Sequence, residues 1–489
     1  MKKSLPYLFL IAAFIIFISN IIQKIFYASD DTFIYMQYAR NIASGNGFSF
    51  NAGEPSYGVT SPLWVLILSI AYLVGADGFW FAKIFDLLFS VSSAVIFYKL
   101  ADILFNKDKF LVAISTSIFV VNIWFIRWTF TGMETSLAVF CVLFVLYSFY
   151  KNKYYLTFII LGVFYLIRPE SFVLAIVLFF LLIYQGIREK NLNYKYFLLY
   201  LLLFFVIAAP FLIYAKVTFS TIVPNTTLGK ATFNLNINTI FEQVKEIFRT
   251  LAPSNIAEII FALVYIPIAL KRNEIRSSLP LILWPSGLLL LYIITDSDII
   301  SRYLIIITPM FSLLAVKMIE VLMRKNSKRG IIMGFLFFIA IAIQSQFVFY
   351  GYVKPHTENF TAGMRDCFKS IGIWFNENTP PGSRILVGDI GVIGYYAERY
   401  IIDAAALANR DLELNKNIMK TPLEERMSNA NLLKFVNADY LVERDTTGEN
   451  SLSIKGDYKL DYLFYKKFPG LGISDRSIKY YKIYKLSKN

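Results

Sequence analysis

The chain has 489 residues, of which 57% are hydrophobic and 17% are charged. Soluble domains are roughly 45–50% apolar and about 25% charged, and this difference excludes an ordinary soluble protein. The net charge of +14 is compatible with nucleic-acid binding, but the lysines and arginines lie in short segments between apolar runs, as in membrane proteins. We therefore expect a polytopic protein whose surroundings are a lipid bilayer, with no nucleic-acid partner.

The first apolar run, Leu5–Ile22, follows two lysines near the N-terminus. This pattern is compatible with a signal peptide, but no small-residue cleavage site closes the run, which passes into Gln23 and Lys24. An uncleaved first transmembrane helix is the better interpretation.

The next segment opens with Ser29-Asp30-Asp31-Thr32 and continues as an amphipathic stretch to Ala43. Two acids at a helix start are a common capping arrangement, because a side-chain oxygen accepts a backbone N–H and a negative charge suits the helix dipole. The alternative is a carboxylate held at the outer membrane surface for chemistry. Since adjacent residues at a helix start cannot both point into one pocket, we expect Asp30 and Asp31 to differ in role.

The remaining apolar runs approach the length of roughly 20 residues that a helix needs to cross ~30 Å of hydrocarbon. With the first run, the candidate spans lie at about residues 5–22, 80–105, 110–126, 134–150, 154–167, 170–185, 196–216, 252–270, 279–295, 302–322 and 330–350. One further run, 61–75, is ambiguous, since its roughly 15 residues reach only ~22 Å as a helix.

The charges between the runs decide the topology. If 61–75 lies on the membrane and Arg168-Pro169-Glu170 is a turn between two crossings, most basic residues of the short loops fall inside. These are Lys107, Lys109, Lys151, Lys153, Arg188, Lys190, Lys195, Lys271, Arg272, Arg276, Arg324, Lys325, Lys328 and Arg329. If 61–75 instead crosses, four of these lysines move outside, and Arg168 and Glu170 sit in the bilayer at roughly 2.5–3.5 kcal/mol each. The first arrangement predicts about eleven transmembrane helices, a cytoplasmic N-terminus and an external C-terminus.

The tail, residues 351–489, has a different composition and predicts a small extracytoplasmic α/β domain after a transmembrane domain of residues 1–350. Its patterns predict helices at 360–376 and 423–435, and strands at 384–387, 399–403, 440–443 and 478–485. The first external loop of the transmembrane domain spans about residues 27–79.

Carboxylates and cations gather on the outer side of this topology, where a lipid-linked sugar would react. A polyprenyl-phosphate sugar already has a phosphate leaving group, so no acid need protonate it, unlike the acid of a glycosidase. The reaction needs a carboxylate to take the proton of the acceptor hydroxyl, and cations to hold the phosphate. Asp30 and Asp31 are the candidate bases. The candidate phosphate ligands are Arg168, Lys216, Lys230 and Arg302.

Several motifs occur in an order that resembles a known superfamily. The first loop contains Asp30-Asp31-Thr32-Phe33-Ile34, Tyr38-Ala39-Arg40-Asn41, Gly45-Asn46-Gly47-Phe48, Asn51-Ala52-Gly53-Glu54 and Thr60-Ser61-Pro62-Leu63-Trp64. Later come Thr131-Gly132-Met133-Glu134-Thr135, Arg168-Pro169-Glu170, Pro224-Asn225-Thr226, Arg302-Tyr303-Leu304 and Val387-Gly388-Asp389-Ile390-Gly391. This series is similar to that of the C-type (GT-C) membrane glycosyltransferases, nearest to the branch with terminal arabinofuranosyltransferases.

The resemblance implies an extracytoplasmic active site in the cytoplasmic (inner) membrane, with inverting transfer from a polyprenyl-phosphate sugar to a glycan, lipid or protein acceptor. It also implies that Asp30 is the catalytic base, with Asp31 as its neighbour. Candidate substrate-binding residues on the same side are Glu54, Tyr57, Trp64, Glu134, Glu170 and Asn225, with the two aromatic rings able to stack on sugar. The resemblance does not name the sugar or the acceptor.

No cofactor is expected. Oligosaccharyltransferase-like members of the superfamily use a divalent metal, whereas mannosyl- and arabinosyl-type members are treated as metal-independent. This chain shows no second acidic metal motif, so a metal is the less favoured alternative.

Two other functions fit the same compartment. A lipid-linked sugar transporter or flippase would also place charges at the membrane edge, but the two halves of this chain do not mirror each other and the chain ends in an external α/β domain. A polymerase of lipid-linked saccharides would share both compartment and substrates, and it stays open.

Overall fold

The structure is a computed structural model that describes residues 5–225, 236–406, 408–409, 432–433, 436–449, 452, 458–473 and 475–488. The part before residue 350 is helical. Its helices are α1 (Leu5–Ile22), α2 (Asp30–Ala43), α3 (Pro62–Leu73), α4 (Gly78–Leu104), α5 (Lys109–Val120), α6 (Ile123–Trp128), α7 (Thr135–Tyr150), α8 (Tyr154–Tyr165), α9 (Ser171–Arg188), α10 (Tyr194–Phe219), α11 (Ile237–Lys271), α12 (Leu279–Ile294), α13 (Ser301–Leu304), α14 (Thr308–Lys325) and α15 (Ser327–Val348).

The predicted spans coincide with helices, and the protein is a multi-pass membrane protein. Six helical segments of the described chain are long and apolar enough to cross a membrane: Gly78–Leu104, Ser171–Arg188, Tyr194–Phe219, Ile237–Lys271, Ile275–Ile294 and Ser327–Asn378. The other predicted spans fall on α1, α5, α7 and α8, which are short, and on α14, which ends with two charged residues. The run predicted at 110–126 is interrupted because the Asn122 side chain accepts N–H groups at the start of α6.

The ambiguous run 61–75 forms α3, which has 12 residues. Such a helix reaches only ~18 Å, which is too short to cross the hydrocarbon. One face of α3 is buried, with Val65 and Leu68 at 0% exposure, and the opposite face exposes Leu66 and Ile70. This length and this division of its faces support the interpretation that α3 lies along the membrane surface.

The C-terminal part follows the last span without a linker, because the helical segment Ser327–Asn378 is continuous. It contains α16 (Lys354–Gly363), α17 (Ser370–Asn378), β1 (Arg384–Val387), α18 (Gly391–Ala397), β2 (Tyr400–Asp403), β3 (Tyr440–Asp445), β4 (Tyr458–Pro469) and β5 (Ile478–Lys488). The predicted helix at 360–376 is thus part of this longer helical segment. The predicted helix at 423–435 lies largely outside the described residues.

The five described strands form one sheet in the order β2-β1-β3-β5-β4. β1 pairs in parallel with β2 and β3, and β5 is antiparallel to β3 and β4. The sequence did not predict β4, because this edge strand mixes lysines with aromatic residues and lacks a clean apolar alternation.

The position of β1 in the sheet determines where a site forms. β1 lies between β2 and β3, so the chain leaves it toward one side and returns on the other. Such a reversal opens a crevice at the carboxyl ends of parallel strands. In this protein the carboxyl end of β1 leads into residues 388–390, which line a cleft together with residues between α1 and α3.

Candidate active site

A cleft of about 1120 Å³, its open mouth included, lies between loops of the helical part and the carboxyl edge of the sheet. The helical part contributes Asp30, Asp31, Arg168, Glu170 and Arg302 to its lining, and the C-terminal part contributes Asp389 and Asp403. Within the described residues, the cleft therefore joins the predicted acids of the first loop to two of the predicted phosphate ligands.

Asp30 begins α2, but its carboxylate caps a different helix. Its Oδ2 and Oδ1 accept the backbone N–H groups of Gly391 at 3.0 Å and of Val392 at 2.8 Å, at the start of α18. Burial and the nearby charge of Asp389 raise the pKa of Asp30 to about 7, although the two N–H hydrogen bonds act in the opposite direction. A carboxylate with a pKa near neutrality suits a general base at physiological pH.

Asp31 lines the same cleft, contrary to the expectation that adjacent acids cannot share one pocket, but it has a different partner from Asp30. Its Oδ2 lies 2.5 Å from Nη1 of Arg302, and the Asp31 side chain is 40% exposed. Arg302 also donates to the Tyr303 hydroxyl at 3.2 Å. Asp31 therefore orients an arginine at the cleft wall.

Arg168 is held by a buried ion pair. Its Nη2 lies 2.5 Å from Oε1 of Glu134, and the two side chains are only 4% and 2% exposed. The guanidinium groups of Arg168 and Arg302 each lie 5.2 Å from the centre of the Tyr303 ring. Glu170 lines the same wall and accepts a hydrogen bond from Tyr292 at 3.2 Å.

A charged cluster beneath the cleft positions the loop that carries Glu134, and the sequence interpretation did not single it out. Asp86 of α4 accepts the N–H groups of Thr131 and Gly132 at 2.7 and 3.0 Å. Lys83, one turn earlier, donates to two backbone carbonyl groups at 2.6 Å. The available signal was a lysine and an aspartate inside an apolar run, where charges are expensive and usually functional.

Gly132 lets this loop approach the first loop closely. Its φ is +82°, and an added Cβ would lie 2.7 Å from Cγ2 of Thr32. A residue with a side chain would be strained at this φ and would also collide with α2.

Two predicted substrate-binding aromatic residues are not available for stacking on sugar. Trp64 is 0% exposed, and its indole N–H donates to the Gly132 carbonyl at 3.2 Å. Tyr57 is 4% exposed and stacks on Phe219 at 5.2 Å. The prediction was wrong for both, because aromatic motifs near a membrane surface also serve the protein core.

Other predicted site residues lie outside the cleft lining. Lys216 is exposed at the end of α10 and donates to the Ser220 carbonyl at 3.2 Å. Glu54 accepts a hydrogen bond from the Tyr400 hydroxyl. Asn225 is 7% exposed, and Lys230 lies outside the described residues. The structure therefore does not support phosphate binding by Lys216 or direct substrate contact by Glu54 and Asn225.

No group of three or more His, Cys, Asp or Glu side chains in the described part of the chain is arranged to hold a metal ion. The described lining of the cleft includes carboxylates, arginines and tyrosine hydroxyls.

Comparison with known proteins gives one partial family match and several structural likenesses. Residues 357–484 match a family described as domain of unknown function DUF8728. No curated protein matches the chain in sequence.

Solved membrane enzymes share the fold. ArnT from Cupriavidus metallidurans in the apo state is similar with a TM-score of 0.65 at 10% identity, covering 98% of both chains. The same protein bound to undecaprenyl phosphate gives a TM-score of 0.60 at 12% identity, covering 99% of this chain and 98% of that one. The apo Archaeoglobus fulgidus oligosaccharyltransferase gives 0.62 at 12% identity, covering 90% of this chain and 70% of that one. The protein therefore has the GT-C fold with a small C-terminal sheet domain, and these likenesses do not distinguish the arabinofuranosyltransferase branch.

Proposed function

We propose that the protein is an inverting glycosyltransferase that moves a sugar from a polyprenyl-phosphate donor to an extracytoplasmic glycan, lipid or protein acceptor. The observation that carries the proposal is the cleft itself, which brings a carboxylate with a pKa near 7 together with two arginines in a GT-C fold. Undecaprenyl phosphate bound to ArnT, a protein of the same fold, supports a polyprenyl-phosphate ligand.

Asp30 acts as the base in this proposal. Each of its oxygens accepts one backbone N–H and keeps a second lone pair, and the side chain is partly exposed to the cleft. The acceptor hydroxyl transfers its proton to Asp30 while its oxygen bonds to the anomeric carbon. The bond from that carbon to the phosphate oxygen breaks, and the lipid phosphate leaves with the electron pair. Attack opposite the leaving group inverts the anomeric configuration.

Arg302 and Arg168 bind the phosphate. The Nε atoms of both are buried and have no hydrogen-bond partner within the described residues. Buried donors are normally paired, so these two N–H groups are suited to an anionic ligand with several acceptor oxygens. The carboxylates of Asp31 and Glu134 hold the guanidinium groups in place before the donor arrives.

We expect release of free polyprenyl phosphate from a polyprenyl-phosphate sugar only when acceptor is present. Arg302→Gln should raise the KM for donor by about 10- to 150-fold, because loss of a charge-assisted hydrogen bond costs roughly 1.5–3 kcal/mol. The acceptor KM should change little. Steady-state kinetics of the purified protein in detergent measures both.

Lys216→Gln is the matched control, since Lys216 is an exposed cation outside the cleft lining. An unchanged donor KM in Arg302→Gln would show that Arg302 only orients Asp31.

Flipping of the donor across vesicles without any lipid phosphate release would identify a transporter. Product chains that grow by repeated transfer would identify a polymerase.

The orientation in the cytoplasmic membrane is also proposed, with the N-terminus inside and the C-terminal domain outside. Reporters fused after Lys153 and Arg329 should be cytoplasmic, and reporters after Gly75 and Lys354 should be external, because of the positive-inside distribution. Alkaline phosphatase and green fluorescent protein fusions measure this. An external reporter after Lys153 would contradict the topology and place the Arg168 turn inside the bilayer.

A further inference from the structure

We propose that the C-terminal domain is a working part of the catalytic centre, in which the turn from β1 to α18 holds the Asp30 carboxylate and Asp389 is a positioning residue that acts on it. This inference rests on the proposed function of Asp30 as the base. It assigns a role to a region that matches a domain of unknown function.

The contact between the turn and Asp30 is close and depends on a glycine. An added Cβ at Gly391 would lie 2.6 Å from Cγ and Oδ2 of Asp30 and 2.2 Å from its backbone oxygen. Real Cβ atoms do not approach this closely, so any side chain at position 391 would displace Asp30 or the turn. Gly391 therefore allows its own N–H, and that of Val392, to reach the carboxylate.

Further hydrogen bonds join the first loop to the same region of the C-terminal domain. Asn51 exchanges two hydrogen bonds of 2.9 Å with the backbone of Ile401 in β2. Arg40 donates to the Tyr395 carbonyl at 3.1 Å and pairs with Glu398 at 3.1 Å. The β1–β2 connection and β2 are thus anchored to the first loop by Arg40 and Asn51 as well as by Asp30, so the domain fixes where the carboxylate lies.

Asp389 follows β1 and lines the cleft with Asp30. The Tyr481 hydroxyl donates to Oδ2 of Asp389 at 2.6 Å, and Nη1 of Arg444 lies 3.6 Å from the same atom. These contacts hold Asp389 in position. After burial, its negative charge is the largest cause of the raised pKa of Asp30, and Asp31 adds a smaller effect.

The other charged groups that face this part of the cleft come from several elements. They are Asp31 on α2, Arg168 and Glu170 in the α8–α9 turn, Asp298 and Arg302 near α13, and Asp403 at the end of β2. The two arginines are paired with Glu134 and Asp31. Of the two aspartates that the C-terminal domain contributes to the cleft, Asp389 is the one whose charge raises the pKa of Asp30, so its removal should change the protonation of Asp30 most directly.

The direction in which loss of the Asp389 charge shifts the pH dependence of kcat/KM follows from the role of Asp30 as the base. Asp30 must be unprotonated to accept the proton, so kcat/KM should fall as pH decreases through about 7. Removing the charge of Asp389 favours ionised Asp30, which lowers the pKa of Asp30. The acid limb of the pH profile should then move to lower pH.

The first test is the pH dependence of kcat/KM for Asp389→Asn. We expect its acid limb to shift downward by roughly 0.5–1.5 pH units, the effect of one like charge at short range in a partly solvated site. Asp461→Asn is the control, since the Asp461 side chain on β4 is 45% exposed and pairs only with Lys459 among the described contacts. A purely structural role for Asp389 would lower activity without moving the limb, and that result would overturn its assigned role.

The second test compares Gly391→Ala with Gly382→Ala, where an added Cβ meets nothing within 4 Å. Gly391→Ala should lose at least about 10²-fold in kcat, because a 1 Å misplacement of a reacting group costs that much, while Gly382→Ala keeps wild-type activity. Binding of undecaprenyl phosphate and the Tm should persist in both variants, which excludes global unfolding.

Near-normal turnover in Gly391→Ala would overturn the role of the turn. If the wild-type protein and its Asp30 variant behave as proposed while these variants do not, this inference alone fails. If the wild-type protein transfers no sugar, the proposed function itself fails.

Discussion

Asp30→Asn should reduce turnover by roughly 10²–10⁴-fold, the usual contribution of a general base. Asparagine keeps the shape of aspartate and one acceptor oxygen, but it cannot take a proton from the acceptor. One of the two N–H groups at Gly391 and Val392 loses its partner, which costs about 1 kcal/mol. The variant should therefore fold, with a Tm close to that of the wild-type protein.

Asp31→Asn is the matched comparison, because it changes the neighbouring acid in the same way. It removes the ionic partner of Arg302, so its main effect should be on the donor KM and not on kcat. Turnover at saturating substrate and the Tm, measured side by side, separate the two roles. If both variants kept near-normal transfer, the first-loop acids would not be catalytic, and the proposed enzyme would lose its base.

Arg168→Met should destabilise the protein by roughly 3–5 kcal/mol, because it leaves the buried Glu134 carboxylate without its counter-ion. The pair is nearly inaccessible, with side-chain exposures of 4% and 2%. The double variant Arg168→Met with Glu134→Leu should recover much of this loss, since it removes both charges. Donor binding should stay impaired in the double variant, because the phosphate contact of Arg168 is also gone.

Unfolding in detergent and binding of undecaprenyl phosphate, measured on both single variants and the double variant, test this coupling. The exposed pair of Arg249 and Glu246 is the control, with side-chain exposures of 63% and 44%. Arg249→Met should cost less than about 1 kcal/mol, as surface ion pairs do. A single Arg168→Met variant as stable as the wild-type protein would show that Glu134 reaches water or binds another group.

Part of the site could be predicted because membrane topology leaves few places for charge. The predicted topology places Asp30, Asp31, Arg168, Glu170 and Arg302 in outer segments, and all of them line one cleft. Lys216 met the same criterion but is exposed outside the cleft lining, because charge and predicted side of the membrane do not determine where a side chain points.

Trp64 and Tyr57 show that a sequence motif does not determine whether an aromatic ring faces a ligand or the protein core. Trp64 and Tyr57 lie in loop motifs that suit sugar stacking, but both rings are buried against other parts of the protein. Aromatic side chains bury large areas in protein cores as well as at binding surfaces, and the sequence does not distinguish these outcomes.

The membrane helices, the loops between them and the strands β1, β2, β3 and β5 follow from local properties, namely the length of apolar runs, the distribution of lysine and arginine, and turn residues. The partners of Asp30 do not, because the N–H groups that it accepts lie 361 and 362 residues away along the chain. A first-loop acid at a helix start looks like the cap of its own helix, whereas packing makes it the cap of α18. The docking of the sheet domain on the first loop determines which N–H groups Asp30 accepts. The same docking determines the pKa of Asp30, because burial and the charge of Asp389, both set by tertiary contacts, raise it to about 7.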